Sequence, residues 1–103
     1  MSSATVGRTV LYTLSEYDCE VINKKRELAH NHGQRHNLPG VQLHNGNQAR
    51  EGDVCPAIVV RTWGEDSHIN LQVILDGEDT YWATSRSEGE GAGHWAWPVR
   101  SEA

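Results

Sequence analysis

The segment INLQVILD, residues 69–76, decides the fold of this chain, because its apolar and polar side chains alternate as in a half-buried strand. Upstream, AIVVRTW at residues 57–63 starts with an almost continuous apolar run and predicts a neighbouring strand. Downstream, the turn sequence DGED at residues 76–79 leads into YWATS at residues 81–85, which predicts a third strand. Strands joined by such short turns predict an antiparallel sheet.

Closer to the N-terminus, residues 6–14 contain β-branched and aromatic side chains, which predict a strand there. Ser15 is a helix N-cap residue, and the acidic residues that follow it suit the positive end of a helix, so a helix is predicted over residues 15–30. Leu14 and Cys19 have the spacing of a hydrophobic staple across this start. Gly33 is the expected stop signal.

The rest of the chain divides into a loop and the remainder of the sheet. Residues 31–53 are rich in Gly, Asn, Gln and His without a sustained period, so they predict a long polar loop of net basic charge. The β-sheet core is expected over residues 54–99 and ends with the extended segment HWAWP at 94–98. The predicted fold is therefore mainly β (α+β): one N-terminal helix and a small, twisted antiparallel sheet of about five strands. We expect an SH3-like half-open barrel, because closure removes free strand edges.

Length and composition exclude several classes. A chain of 103 residues has room for a single domain, residues 1–103. No apolar run is long enough for a membrane span, and the first residues lack the features of a signal peptide. The net charge of −5 argues against general nucleic-acid binding, which needs a basic face. Cys19 and Cys55 fit neither a disulfide framework nor a zinc knuckle and are interpreted as thiols, with a bridge between them left open.

The second half of the chain resembles a family of short uncharacterised proteins of tailed bacteriophages and prophages. The matching residues are GDVCPAIVVRTW at 52–63, NLQVILDGEDTYWATS at 70–85, Glu88-Gly89, Gly93, Trp95 and Trp97. Weaker similarity covers Tyr12, Ser15, Asp18, Ile22, Asn23, Arg26, His44 and Gly46-Asn47. The resemblance implies a viral origin and a location in the cytoplasm of the bacterial host during infection, or else in the virion. It supplies no catalytic residues.

Charge is unevenly distributed along the chain. Residues 23–50 carry five basic residues and one acidic residue, a net charge of +4, whereas residues 51–103 stand at −7. Together with the histidines of this stretch, the basic segment is a candidate site for an anionic ligand, with Arg35, His36, His44 and Arg50 as its binding residues. The alternative is a solvated face whose lysines complement the helix C-terminus. The same asymmetry favours a homo-oligomer, in which the basic segment of one copy meets the acidic half of another.

A second group of candidates lies in the predicted sheet. Four Trp residues are many for a chain without Phe, and aromatic faces beside arginine can stack a nucleobase and hold its phosphate. Strand alternation places Arg61 with Trp63, and Trp82 with Arg86, on common faces, so these four residues are predicted to bind a ligand. The alternative is that two or three of the indoles simply fill the core.

Metal binding and catalysis have little support in the sequence. His30, His32 and His36 lie close together, but no cysteine or carboxylate at ligand spacing accompanies them. The chain has no nucleophile elbow or phosphate loop, and nothing beside Cys55 argues for a reactive thiolate. We therefore expect no metal, no cofactor and no catalytic residue, and hence a protein that is not an enzyme.

These observations lead to two functional hypotheses. The first is a non-enzymatic phage accessory protein that sequesters an anionic host molecule, such as a nucleotide defence signal. The second is a structural component of the virion, for example a capsid or tail decoration protein, in which the same surfaces contact a viral structural protein.

Overall fold

One helix and five strands make up the described part of the chain. The computed structural model describes residues 4–36, 47–64 and 68–99, and for residues 30–36 only the backbone. In chain order the elements are β1 (Thr9–Thr13), α1 (Glu16–His36), β2 (Val54–Thr62), β3 (Ile69–Ile74), β4 (Thr80–Arg86) and β5 (Trp95–Ala96). The predicted architecture, one helix and a mainly β antiparallel sheet of five strands, is confirmed.

The strands form a single sheet in the order β4-β3-β2-β1-β5, and all neighbouring pairs are antiparallel. The chain after β4 bends back toward β5, where Glu88 forms an isolated parallel bridge with Trp95. Two backbone bonds support the bridge: Gly89 N–H donates to Trp95 O at 2.9 Å, and Trp95 N–H donates to Ser87 O at 3.2 Å. The sheet is nevertheless not closed, so the expected SH3-like barrel is not confirmed.

Two predicted boundaries differ from the structure. The first strand is shorter than the expected range 6–14, because Gly7 (φ 96°) forms a turn before it. The helix continues six residues past the predicted end at residue 30. The predicted start of the loop at residue 31 is therefore wrong. Gly33, the expected stop signal, lies within the helix, so that prediction is wrong. Residues 31–36 have no apolar stripe, and periodicity could not detect this part of the helix.

The start of α1 forms as its sequence predicts. The Ser15 hydroxyl accepts the Asp18 N–H at 3.1 Å, while the Asp18 carboxylate accepts the Ser15 N–H at 3.0 Å. This reciprocal pair satisfies two of the backbone donors that every helix start leaves unpaired. Leu14 and Cys19, on either side of the cap, are both buried in the core.

The core lies between α1 and one face of the sheet. Its strand residues alternate with exposed neighbours, as in Leu71 and Val73 on β3, and the helix contributes Ile22. The opposite face of the sheet, here called the outer face, is not covered by any element that the structure describes. It presents Thr9, Leu11, Thr13, Val54, Pro56, Ile58, Val60, Arg61, Asn70, Gln72, Ile74, Thr80, Trp82, Thr84 and Ala96.

Candidate functional site

The outer face holds the best candidate for a binding surface. Several of its apolar side chains are exposed: Ile58 and Ile74 by more than a third of their surface, and Trp82 by 58%. Among the strand residues described on this face, Arg61 is the only charged one and none is acidic. Monomeric proteins usually keep such apolar area covered, so this face has the character of a contact surface.

Arg61 and Trp63 form a pair at one end of this face. The guanidinium carbon of Arg61 lies 5.6 Å from the ring centroid of Trp63, a cation–π distance, and the indole is 55% exposed. A register shift between Val59 and Arg61 turns the end of β2, and Arg61 pairs there with Asn70 of β3. The guanidinium makes no salt bridge within the described residues, so its N–H groups are open to an acceptor from outside.

Trp82 lies on the same face, two strands away. Its register partner on β3 is Gln72, which in turn lies opposite Ile58 of β2. Two strand spacings separate Trp82 from β2, about 10 Å across the sheet. The structure therefore brings three of the predicted ligand-binding residues, Arg61, Trp63 and Trp82, to one surface.

Arg86 belongs to the opposite side of the sheet. A register shift between β3 and β4 coincides with Ser85, whose φ of 54° lies in the left-handed region. This irregularity reverses the alternation of side chains, and Arg86 pairs with the buried Ile69. The prediction that Trp82 and Arg86 share one face is therefore wrong.

Arg86 instead completes a buried polar network around Asp18, which is fully inaccessible to solvent. The Asp18 carboxylate accepts hydrogen bonds from Tyr12 Oη at 2.5 Å, from Tyr81 Oη at 2.7 Å and from Arg86 Nη2 at 2.9 Å. Arg86 Nε also donates to Tyr12 Oη at 2.7 Å. The network joins α1, β1 and β4, and the hydrogen bonds of Arg86 commit its guanidinium mainly to groups within the protein.

The network changes the acid–base properties of its members. Burial disfavours the charged form of Asp18, but hydrogen bonds from Tyr12, from the Ser15 N–H and from Tyr81 outweigh it and lower the pKa of the carboxyl. Burial and the hydrogen bond to Asp18 raise the pKa of Tyr81 to about 12 and raise that of Tyr12 further. The ion pair and the neutral phenols are thus the stable forms near neutral pH.

A second arginine, Arg26, also has a structural role. Its guanidinium donates to both carboxylate oxygens of Asp79 at 2.8 and 2.9 Å and to the carbonyl of Asn47 at 2.6 Å. The hydrogen bond with Asp79 raises the pKa of Arg26, and the same bond lowers that of Asp79. Arg26 therefore ties the turn before β4 and the chain before β2 to the middle of α1.

The basic segment and the sheet site do not form one surface in the described residues. Arg50 is exposed in the turn before β2, where its N–H donates to the Asp53 carboxylate at 3.0 Å. The strand from Val54 to Arg61 spans about 23 Å, so Arg50 and Arg61 lie at opposite ends of β2. The side chains of Arg35 and His36, and all of His44, lie outside the described residues.

The four indoles have separate environments. Trp95 is fully buried and donates its Nε1–H to the carbonyl of Arg86 at 3.1 Å. Trp97 is half-buried, stands edge-on to Trp95 at a centroid distance of 5.7 Å, and carries Arg8 over its ring. Only one indole is therefore wholly in the core, rather than the two or three expected as the alternative.

The cysteines and acidic clusters give no sign of catalysis or metal binding in the part of the chain described. Cys19 and Cys55 are free thiols, and burial together with nearby carboxylates raises both pKa values, which disfavours the nucleophilic thiolate. Cys55 lines a shallow cleft of about 70 Å³ beside Arg26, whose guanidinium already has partners. No group of three metal-ligating side chains occurs among the described residues, and the side chains of His30, His32 and His36 lie outside them.

Comparisons with known proteins leave the family open. No protein-family model matches the chain, and neither a curated protein nor a solved structure matches it significantly. The phage resemblance therefore remains a prediction based on the sequence motifs. The helix in the described part of the chain is not apolar enough to cross a membrane.

Sequence reasoning missed the residues that organise the interior. Asp18 could be identified as a capping residue from its spacing to Ser15, but nothing in the sequence connects it to Tyr12 and Tyr81. The bulge at Ser85 could not be predicted from the sequence, because the strand has no glycine at this position. Arg86 was therefore assigned to the wrong face by an alternation rule that holds everywhere else on β4.

Proposed function

We propose that this protein is a non-enzymatic binding protein whose outer face captures an anionic, base-containing molecule of the nucleotide class. The observation that carries the proposal is the exposed pair of Arg61 and Trp63 on the same uncovered face as Trp82. Aromatic planes and a guanidinium without a salt bridge, on a face whose described strand residues include no carboxylate, are suited to a base and a phosphate together.

Each residue has a distinct role in this proposal. Trp82 stacks a base, and its position in the middle of β4 gives the indole a rigid support. Arg61 donates to phosphate oxygens, while Trp63 holds the guanidinium in place through the cation–π contact. Because Trp82 lies about 10 Å from β2, cyclic dinucleotides and other ligands with separated bases and phosphates suit the face best.

The biological part of the proposal follows from the sequence motifs. As a phage accessory protein in the cytoplasm of the infected host, the chain would act by sequestering a nucleotide defence signal. This role needs no turnover and no cofactor, in keeping with an outer face that presents only one charged side chain in its described strands. The half-open SH3-like form of the sheet is proposed with it, since the chain after β4 already bends toward β5.

The test is a thermal-shift survey of the full chain against nucleoside triphosphates, cyclic mononucleotides and cyclic dinucleotides. A ligand at about 100 times its Kd stabilises the folded state by about 2.7 kcal/mol, which is readily measured as a higher Tm. The shift should disappear in Arg61→Ala and Trp82→Ala and persist in Arg50→Ala, which removes an exposed arginine at the other end of β2. A survey without any shift, or equal loss in Arg50→Ala, refutes the proposal.

The second candidate is a structural component of the virion, and the uncovered apolar side chains favour it. Ile58, Val60 and Ile74 are each more than a third exposed and give the outer face a protein-like contact area beside Trp82. In that case the protein occurs in purified phage particles at a stoichiometry that matches a symmetric lattice. Mass spectrometry of such particles decides between the two candidates, since a sequestering protein is absent from them.

A further inference from the structure

The edge of the sheet at β4 is open. In the strand order β4-β3-β2-β1-β5, β4 pairs with β3 on one side, and no described strand lies on its other side. Both Thr80 and Thr84 are exposed there, together with Trp82. The opposite edge is different, because β5 has only two residues and the chain after β4 bonds to it.

The hydrogen-bonding pattern shows which backbone groups face outward. Val59 N–H donates to Arg8 O, and Leu14 N–H donates to Asp53 O, so the odd-numbered residues of β2 bond to β1. Ile58 therefore bonds toward β3, and its partner there is Gln72. By the same alternation, Leu71 and Val73 bond to β4 through Ala83 and Tyr81.

The backbone N–H and C=O groups of Thr80 and Trp82, and the N–H of Thr84, consequently point away from the sheet. The Thr84 carbonyl lies at the register shift and accepts a bond from Arg86 Nη1 at 2.6 Å. These groups form a row at the spacing of a sheet ladder. An added strand can pair with them without any change in the sheet.

Residues 80–85, TYWATS, lack the features that normally protect a free edge. The segment has no proline and no charged side chain, and four of its six residues are β-branched or aromatic. The bulge at Ser85 comes only at its end. This edge is therefore suited to pairing rather than to remaining in solvent.

We propose that β4 pairs antiparallel with β4 of a second copy across a two-fold axis near Trp82, which joins two sheets into one of ten strands. In this register Thr80 lies opposite the second copy's Thr84, and the two Trp82 side chains meet on the outer face. Such cross-strand aromatic and threonine pairs stabilise antiparallel ladders.

The segment 80–84 favours a second copy as the occupant because it is self-complementary. Its exposed residues Thr80, Trp82 and Thr84 carry no charge, so a two-fold axis brings no like charges together along the paired segment. The guanidinium of Arg86 takes no part, since it lies on the core side of the sheet and pairs with Asp18.

The consequence for the outer face is a doubled surface. Pairing at the edge makes the outer faces of the two copies continuous, with an Arg61 and Trp63 pair toward each end and two Trp82 side chains in the centre. Edge pairing does not depend on the proposed ligand, so the association can be tested on the full chain without any nucleotide.

The experiment combines mass measurement with amide hydrogen exchange. Sedimentation equilibrium of the full chain should give twice 11.5 kDa. The amides of Thr80, Trp82 and Thr84 should exchange more slowly as protein concentration rises, because only the dimer bonds them.

Three variants separate this interface from other modes of association. Thr84→Pro removes an outward N–H that β3 does not use and should give a monomer, while Thr84→Val keeps the amide and should remain a dimer. Ile58→Lys places a charge in the middle of the outer face and should also remain a dimer, since edge pairing does not bury that position.

The opposite results overturn the proposal. A monomer at all concentrations refutes it, as does an assembly in which the three amides exchange fast or Ile58→Lys dissociates the copies. If Thr84→Pro does not fold, the concentration dependence of amide exchange in the unaltered chain decides the question.

Discussion

Arg86 Nη2 lies 2.9 Å from Oδ1 of Asp18, and this ion pair joins the last residue of β4 to the first turn of α1. Asp18 is fully buried, and the Arg86 side chain is 23% exposed. A buried carboxylate needs its full set of donors, since an unpaired charge in the interior costs several kcal/mol. The pair therefore contributes, together with the apolar core, to holding the helix against the sheet.

Replacing Asp18 with Asn should strongly destabilise the fold. The amide keeps the size of the side chain but leaves Arg86 without its counter-ion and offers two donors where Tyr12 and Tyr81 also donate. We expect a loss of about 3–5 kcal/mol in the free energy of unfolding, measured by urea denaturation. Glu16→Gln, an exposed acidic residue in the same helical turn, is the control and should cost less than about 1 kcal/mol. Equal costs would show that only the helix dipole is involved.

Acid should destabilise the protein through its paired carboxylates. The pKa of Asp18 and that of Asp79 are both lowered in the folded state, so their contribution is complete above the ordinary Asp pKa of about 3.9. It is lost as pH falls below that value toward the lowered folded pKa. Urea denaturation between neutral pH and pH 3 should show this decline, and Asp79→Asn should make it shallower. A free energy of unfolding that does not change over this range would contradict the network.

Alkali should act through the two buried phenols. The pKa of Tyr81 is raised to about 12 and that of Tyr12 is also raised, so the folded state favours the neutral phenols. Their contribution is fully present below the ordinary Tyr pKa of about 10 and is lost as pH rises from there through the folded value. Absorbance at the tyrosinate band should show late ionisation of these residues. Tyr81→Phe should remove one late step, and early ionisation of all phenols would contradict the structure.

Arg26→Lys should loosen the connection between α1 and the turn before β4. Lysine cannot reproduce the two bonds to Asp79 while also donating to the carbonyl of Asn47. The expected cost is about 1–3 kcal/mol in the free energy of unfolding. Lys24→Arg, an exposed position on the same helix, serves as the control and should change stability by less than about 0.5 kcal/mol. If Arg26→Lys is equally silent, the bonds of Arg26 contribute nothing measurable.

Ser85→Gly should stabilise the protein by up to about 1 kcal/mol, because Ser85 has a left-handed φ of 54° that glycine adopts without steric cost. Thr80→Gly is the matched control in regular strand geometry, since Thr80 pairs with Ile74 without a register shift, and glycine there should destabilise by about 0.5–1 kcal/mol. Thermal unfolding should therefore show effects of opposite sign for the two glycine variants. A loss of stability in Ser85→Gly would argue against the bulge that directs Arg86 inward.

Local patterns in the sequence predicted most of the sheet and the start of the helix. The alternation over 69–76 and the turn at 76–79 correspond to β3 and the connection to β4. The cap at Ser15 was predictable because it depends on residues three positions apart. The helix end was not, because polar residues without an apolar stripe form helix or loop with similar local signals.

The candidate site was predicted in part. Arg61 and Trp63 lie on one face as strand alternation predicts, but the register shift between Val59 and Arg61 is what turns Arg61 to the same face as Trp82. Arg86 does not join them, since a single irregular residue reverses the sides of the strand beyond it. Arg50 lies far from Arg61 because most of β2, an extended strand, separates the two residues.

Neighbouring residues specify the strands, the turns between them and the capped helix start, so these elements can be predicted from the sequence. Which arginines are structural and which are exposed depends on three-dimensional contacts, because Asp18, Tyr12, Tyr81 and Arg86 come from three elements far apart in the chain. Burial and hydrogen bonding between such elements depend on packing in three dimensions. Packing of the described elements also leaves the outer face and the β4 edge uncovered, and both proposals rest on those two surfaces.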